Sequence, residues 1–367
     1  AYSYVCIVLL SMTLLGCELD TKKETTPDSA LMANMQTLQS LESKIKQNLL
    51  AIGKTNSEIS SGARMSLLGT GSVGMPVAMY DGVAGGSSGV SSTTLAEVGV
   101  DEGDLVKNDG RFLYVASQPF YGSSNSINIF ELQDSPASAI HQGTIQLGDS
   151  SVSSLYLKTE QDSRELAVIT GSQNWGYAGW YRLGYWGGNS SFNIDLFDVS
   201  DPQSVNKDWS VNIDGTYLDS RSIDSNLYIV SRYYPHLTDF IAYPVDVAQE
   251  KRNLRIIEDL SIDSLLPSRR INGGTAALHV QADQCIAPKG SLDDAGAMPF
   301  IITITTIDLN NPDEMDVSCV VGEDSGFYAS TNALYLFNQS NWSNTLIHKF
   351  EFTAEGARYR ASGQVDG

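Results

Sequence analysis

The sequence predicts an all-β fold, because two kinds of short strand alternate along most of its 367 residues. Strands of the first kind follow a polar turn and carry Leu-Tyr or a similar apolar pair; they lie at 109–115, 224–230 and 330–336, with a weaker copy at 165–169. Strands of the second kind lie at 128–132, 193–199, 304–309 and 348–352. Each pair recurs after about 50 to 70 residues. Units of this size bury both faces only against one another, which predicts a β-propeller; a β-sandwich is the alternative.

At the N-terminus, an uncharged apolar run over Val5–Leu15 predicts a signal peptide, since a membrane-spanning helix needs roughly 20 such residues. Gly16 and Cys17 follow the run. This ending resembles the lipobox of bacterial lipoproteins, in which the cysteine is acylated and the peptide before it is removed. We therefore expect lipidation of Cys17 and a signal peptide over 1–16, incomplete because the chain begins with Ala1. The alternatives are a plain secretory signal, or a core segment in which the cysteine occurs by chance.

The expected anchor places the mature chain on a bacterial membrane, facing the periplasm or the exterior. An Asp after the cysteine favours inner-membrane retention in enteric-type bacteria, and this chain has Glu18, so the outer membrane is favoured. The chain carries 43 acidic and 23 basic residues, a formal net charge of −20. Such a charge disfavours nucleic acid and anionic lipid surfaces as partners.

Between the anchor and the propeller, the sequence predicts three segments. Residues 17–30 are polar and predict a tether, and residues 54–93 are rich in Gly and Ser and predict a linker. Residues 31–53 predict one α-helix closed by Gly53, with an apolar face formed by Leu38, Leu41, Ile45, Leu49 and Ile52. We expect the helix to pack on the domain or to form a stalk, with a coiled coil as the alternative. The propeller domain then spans 94–367.

The four cysteines have different expected fates. Cys6 leaves with the signal peptide and Cys17 takes the lipid. Cys285 and Cys319 remain, and in an oxidising cell envelope such a pair is expected to form a disulfide bond. A zinc site would need more nearby His or Cys, and the chain has only 4 His.

A motif at the start of the predicted propeller resembles a known family. The matching residues are Gly99, Val100, Asp101, Glu102, Asp104, Val106, Lys107, Asp109 and Gly110. They resemble the opening of the secreted bacterial and archaeal beta propeller domain family, which is distantly related to WD40 repeats. Gly103 stands where that family usually has Ala, and Asn108 where it usually has Thr.

The resemblance covers roughly residue 93 to the end of the chain. It implies a propeller, and because family members continue beyond such an end, it implies about four blades of an incomplete ring. The resemblance supplies no enzymatic activity.

Four acidic residues of this motif lie close together in sequence: Asp101, Glu102, Asp104 and Asp109. Hard cations bind several carboxylate oxygens at once, so the cluster is a candidate Ca²⁺ or Mg²⁺ site, although the spacing is not that of an EF-hand. The alternative is structural: Asp109 and Gly110 form a tight turn, while the other acids cap backbone amides or pair with Lys107.

An aromatic, glycine-rich segment between two strands is the candidate ligand-binding loop; its aromatic residues are Trp175, Tyr177, Trp180, Tyr181, Tyr185 and Trp186. Exposed rings of this kind stack on sugars or anchor a protein partner. The alternative is a loop folded onto the propeller with its rings buried.

The sequence contains no His-Glu-x-x-His motif, and its one Gly-x-Ser-x-Gly pattern, at residues 85–89, lies in the predicted Gly- and Ser-rich linker and not at a predicted strand-to-helix elbow. We therefore expect a non-enzymatic scaffold that binds an envelope protein or glycan. The alternative is a hydrolase or lyase of extracellular polymer, with its site in the propeller channel.

Overall fold

A computed structural model describes residues 31–52, 97–117, 124–160, 163–171, 190–241, 244–289, 299–322, 326–341 and 344–366. The predicted signal peptide, Cys17, the tether, the linker and the aromatic residues 175–186 lie outside the described residues.

The strands, in chain order, are β1 (Met32–Asn34), β2 (Asp101–Glu102), β3 (Val106–Asn108), β4 (Phe112–Ser117), β5 (Asn125–Asp134), β6 (Ala137–Gly148), β7 (Ser151–Glu160), β8 (Ser163–Gly171), β9 (Ser191–Asp198), β10 (Asn206–Asp214), β11 (Thr216–Ile223), β12 (Asn226–Tyr233), β13 (Ser268–Ile271), β14 (Ala277–Leu278), β15 (Cys285–Pro288), β16 (Ile301–Asp308), β17 (Met315–Val321), β18 (Gly326–Ala329), β19 (Ala333–Asn341), β20 (Asn344–Thr353) and β21 (Gly356–Asp366). The helices are α1 (Leu38–Ile52), α2 (Val247–Glu258) and α3 (Ile262–Leu265), with a 3₁₀ turn at Ala282–Gln284.

These strands form four sheets, each built on one antiparallel four-stranded unit. Sheet I has the order β3-β4-β5-β6, and sheet IV the order β18-β19-β20-β21. Sheet II has the order β7-β8-β9-β10-β13-β14, so two strands extend its unit at one edge. Sheet III has the order β2-β11-β12-β16-β17-β15-β1, so its unit is extended at both edges. The all-β prediction is confirmed, and the four sheets agree with the expected number of blades.

The two predicted kinds of strand occupy fixed places in these units. The first kind supplies the second strand of every unit, namely β4, β8, β12 and β19. The second kind supplies the third strand, namely β5, β9, β16 and β20. The predicted period fails once, because residues 234–300 are inserted between β12 and β16 of sheet III and carry α2, α3 and β13 to β15.

Neighbouring sheets in chain order pack face to face through apolar cores. Sheets I and II share one core, II and III a second, and III and IV a third. In β12, Leu227 and Ile229 belong to the core with sheet II, whereas Tyr228 and Val230 belong to the core with sheet IV. This alternation is the two-residue period of a strand buried on both faces, and each such side chain contributes roughly 1.5–3 kcal/mol.

The N-terminal helix is shorter than predicted. α1 begins at Leu38, because the Ser40 amide donates to Thr37 Oγ1 at 3.1 Å and the Thr37 amide donates to Ser40 Oγ at 3.2 Å. These reciprocal bonds are a helix N-cap, which stops the helix from extending backwards. Residues 32–34 instead form β1, which pairs with β15.

The predicted apolar face of α1 is its buried face. Leu41, Ile45 and Leu49 are fully buried in a core that also contains residues of α2, α3, β15 and β17, while Leu38 is 44% exposed. The helix therefore packs on the domain and does not form a stalk, which were the two main expectations from the sequence. No helix within the described residues is long and apolar enough to cross a membrane.

Cys285 and Cys319 are joined by a disulfide bond in this same core. They face each other on the parallel pair β15 and β17, with their Cα atoms 4.4 Å apart. The bond ties the end of the insertion to the last strand of the sheet III unit.

Candidate functional site

The motif at the start of the propeller lies along one edge of all four sheets; we call residues 97–110 the strap. Glu97 accepts a hydrogen bond from the Tyr328 hydroxyl of sheet IV. Strand β2 then pairs with β11 of sheet III, and the Asp104 carbonyl accepts from the Leu155 amide of sheet II at 2.8 Å. The strap ends by entering sheet I as β3. One short segment thus contacts every sheet described.

Two glycines let the strap approach the sheets closely. Gly99 has φ +86°, a conformation that side chains disfavour. A Cβ atom at Gly103 would lie 2.3 Å from Ser154 Oγ and 3.0 Å from the Tyr156 hydroxyl. This contact explains why the chain has Gly where the motif usually has Ala.

The structure does not bring the four acidic residues of the motif together. Asp101 pairs with Lys107 Nζ at 2.8 Å, and Glu102 lies 3.6 Å from Arg221. Asp104 accepts from the Leu105 amide at 2.8 Å. Within the described part of the chain, no group of three or more His, Cys, Asp or Glu side chains is arranged to hold a metal ion. The carboxylates of Asp101, Glu102, Asp104 and Asp109 are thus directed to separate partners, and the Ca²⁺ or Mg²⁺ site expected there stays a prediction.

Asp109 forms the tight turn that the structural alternative expected. Its carboxylate accepts from the amides of Arg111 at 2.9 Å and Phe112 at 2.6 Å, and it pairs with Arg164 of sheet II. Burial alone would raise the pKa of Asp109, but these amides and the guanidinium outweigh it and lower the pKa. The residue thus links sheet I to sheet II.

A chain of hydroxyl groups links sheets II and III beside the strap. Tyr217 lies 2.7 Å from both Ser154 and Ser220, and Tyr156 lies 2.8 Å from Ser220. Burial raises the pKa of Tyr156 well above its ordinary value, so the phenol stays protonated. These groups satisfy one another, which makes them a buried connection between sheets.

A polar cleft of about 510 Å³ lies between sheets I and II. Gln146, Leu147 and Ser150 line it from the side of sheet I, and Gly273 closes one edge. The face of sheet II supplies the remaining lining residues: Thr170, Asn193, Asp195, Phe197, Lys207, Ser210, Asn212 and Arg270. The cleft is concave and its lining is mostly polar, with Leu147 and Phe197 as its large apolar members.

The strand pairing of sheet II aligns these side chains in rows. Thr170 pairs with Asn193, Asn193 with Asn212, and Asn212 with Arg270. We call these four residues the polar row. In the neighbouring row, Asp195 stands between Val168 and Ser210.

Asp195 is the carboxylate of the cleft. Burial raises its pKa above the ordinary value, and the nearby Lys207 ammonium opposes the rise. Lys207 Nζ lies 3.3 Å from Asp195 Oδ1. The pair gives the cleft a charged acceptor beside a charged donor.

The cleft was not predicted from the sequence. The available signal was the alternation on β9, where Asn193 and Asp195 face sheet I while Phe192, Ile194 and Leu196 face sheet III. A strand buried on both faces is normally apolar on both. Polar residues at every second position of such a strand therefore indicate that one face lines a polar cleft and not a packed core.

In a comparison with protein families, the family model described as beta propeller domain matches residues 90–367. The chain belongs to the beta propeller domain family. Comparison with curated proteins gave no match. The matched region of this beta propeller domain contains the whole strap and both sheets of the cleft. The family motif at 99–110 acts here as the segment that joins the four sheets, while the polar cleft lies away from it.

Proposed function

We propose that this chain is a lipid-anchored cell-envelope protein whose β-propeller binds a protein or glycan partner and catalyses no reaction. The observation that carries the proposal is the polar cleft between sheets I and II. Its hydrogen-bonding side chains stand on a sheet whose opposite face is a packed apolar core, so their positions are fixed before a ligand arrives. Preorganised polar groups in a recess favour binding, because little conformational entropy is lost.

The proposed location follows from the N-terminal sequence. The apolar run before Cys17 and the resemblance to a lipobox support acylation of that cysteine and anchoring in the bacterial envelope, with the outer membrane favoured. The net charge of −20 suits a domain that stays off an anionic lipid surface and presents itself to other envelope components.

The aromatic residues 175–186 are proposed as part of the contact surface. They belong to the connection between β8 and β9, and Thr170 near the end of β8 and Asn193 near the start of β9 line the cleft. The described strand ends on either side of this connection thus lie beside the cleft. Aromatic side chains in such a connection support contact with a sugar or a protein.

The test uses the chain in its host. Cells expressing the wild type, a deletion of residues 176–187, or Cys17→Ser are crosslinked, and the protein is purified from solubilised envelopes. We expect a crosslinked partner with the wild type, loss of that partner with the deletion, and release of Cys17→Ser from the membrane fraction. An unchanged crosslinking pattern in the deletion would contradict the role of the loop. If neither the wild type nor the deletion variant captures a partner, and the wild type degrades an envelope polymer, the hydrolase or lyase alternative replaces the scaffold.

A further inference from the structure

We propose that the cleft between sheets I and II binds a neutral saccharide, with the polar row and Asp195 as its hydrogen-bonding partners. The inference rests on the proposed scaffold function and names the ligand class of its cleft.

An unpartnered hydroxyl in the polar row is the first indication. Thr170 is 1% exposed, and its Oγ1 has no hydrogen-bond partner in the structure. A buried hydroxyl without a partner costs free energy, and that cost is removed when a ligand supplies the missing bond. Thr170 lines the cleft, so a ligand there can do so.

The mixture of donors and acceptors is the second indication. Asn212 Nδ2 already donates to Asn193 Oδ1 at 2.9 Å, which fixes the two amides relative to each other. The cleft therefore offers hydroxyl, amide, carboxylate and ammonium groups within a few side chains of one another. Sugar hydroxyls both donate and accept, so a saccharide satisfies such a mixture, whereas an apolar ligand would leave these groups unpaired.

The charge balance of the cleft favours a neutral ligand. Lys207 is paired with Asp195, and Arg270 Nη1 lies 3.7 Å from Asp214 Oδ1. Each cation of the cleft thus has an anion of its own, so an anionic ligand would compete with Asp195 and Asp214. Two apolar side chains, Phe197 and Leu147, complete the lining and suit the C–H face of a sugar ring.

The experiment measures binding of two neutral probes, maltohexaose and the tetramer of N-acetylglucosamine, to the whole chain by isothermal titration calorimetry. Thr170→Val removes the unpartnered hydroxyl at nearly constant volume. The matched control is Thr306→Val: the Thr306 hydroxyl is also buried without a partner, but it belongs to sheet III. Asp195→Asn removes the charge and keeps the shape.

We expect at least one probe to bind the wild type with a Kd below about 1 mM. Thr170→Val should weaken this binding about fivefold and Asp195→Asn about tenfold, since a hydrogen bond to a charged group is the stronger one. Thr306→Val should bind as the wild type does. Both valine variants should melt at or above the wild-type temperature, because each loses only an unsatisfied polar atom.

Two results would overturn the inference in different ways. If neither probe binds the wild type, the saccharide assignment fails, while capture of a protein partner in cells still supports the scaffold. If a probe binds all four proteins equally, the scaffold binds glycan but the cleft is the wrong site.

Discussion

Because Gly103 has no Cβ atom, the strap packs closely against Ser154 of sheet II. We expect Gly103→Ala to destabilise the domain by about 1–3 kcal/mol, since the added Cβ would overlap Ser154. Urea unfolding measures the change. Gly363→Ala is the control, because nothing lies within 4 Å of a Cβ there. Ser154→Gly should recover part of the loss when combined with Gly103→Ala; additive effects in the double variant would contradict the contact.

Asp109 gives a pH-dependent prediction. Because its pKa is lowered in the folded state, its stabilisation is complete above the ordinary value of 3.8 and is lost as the pH falls through the lowered pKa. Asp109→Asn should therefore cost about 2–4 kcal/mol at neutral pH, with a difference from the wild type that shrinks below about pH 4. Chemical denaturation across this range measures it.

The control for this prediction is Glu131→Gln, which alters the more exposed pair with Arg111. It should change the stability by less than about 1 kcal/mol. If Asp109→Asn behaves like Glu131→Gln at every pH, the Asp109–Arg164 link does not hold sheets I and II together.

The sequence identified the acidic residues of the strap but not their roles. Both a metal site and a set of ion pairs need carboxylates, and the difference lies in the partners. Arg164 and Arg221 are far from Asp109 and Glu102 in sequence, on sheets II and III. Only the packing of the sheets brings these cations to the strap, so the sequence left both readings open.

At the scale of elements, substitutions at a buried and at an exposed residue of α1 measure how much its packing stabilises the domain. Ile45 is fully buried, so Ile45→Ala should destabilise the domain by about 2–5 kcal/mol. Leu38 lies on the same predicted face but is 44% exposed, so Leu38→Ala should cost under about 1 kcal/mol. Thermal unfolding separates the two variants. Equal effects would mean that α1 does not pack as described.

The disulfide joins elements separated by 34 residues. Closing a loop of that length stabilises a fold by roughly 2–4 kcal/mol. We expect the Cys285→Ala, Cys319→Ala double variant to lose about this amount in urea, and reductant to lower the stability of the wild type alone. Two results together would contradict the bond: the stability of the wild type does not change with reductant, and Cys285 and Cys319 react with a thiol label before any reduction.

The strands that the sequence predicted best are the second and third of each unit. They are buried on both faces between neighbouring sheets, so their apolar patterns are strong. The insertion was missed because α2 buries only Asn253 and Ile257 among its residues, too few for a clear helical period. On β10, a bulge between Lys207 and Trp209 directs these residues to opposite faces, although their spacing alone would place both on one face.

At the scale of the molecule, the repeats were sufficient to predict a propeller, because each unit must bury its faces on its neighbours. The alternation on β9 indicates a polar face, but the cleft could not be predicted from the sequence, because it forms only where that face of sheet II meets sheet I. The strap and the three shared cores connect the four sheets into one array. The strap therefore holds the sheets together, and the polar cleft is the proposed binding site.

The most direct test of that proposal places a photo-crosslinking residue at the mouth of the cleft, in place of Gln146, and compares it in living cells with the same residue in place of Lys251 on α2. Both positions are exposed. The account predicts that position 146 captures an envelope component that position 251 does not, and that Asp195→Asn reduces the capture. The same adducts from both positions, or adducts from position 251 alone, would contradict binding at the cleft.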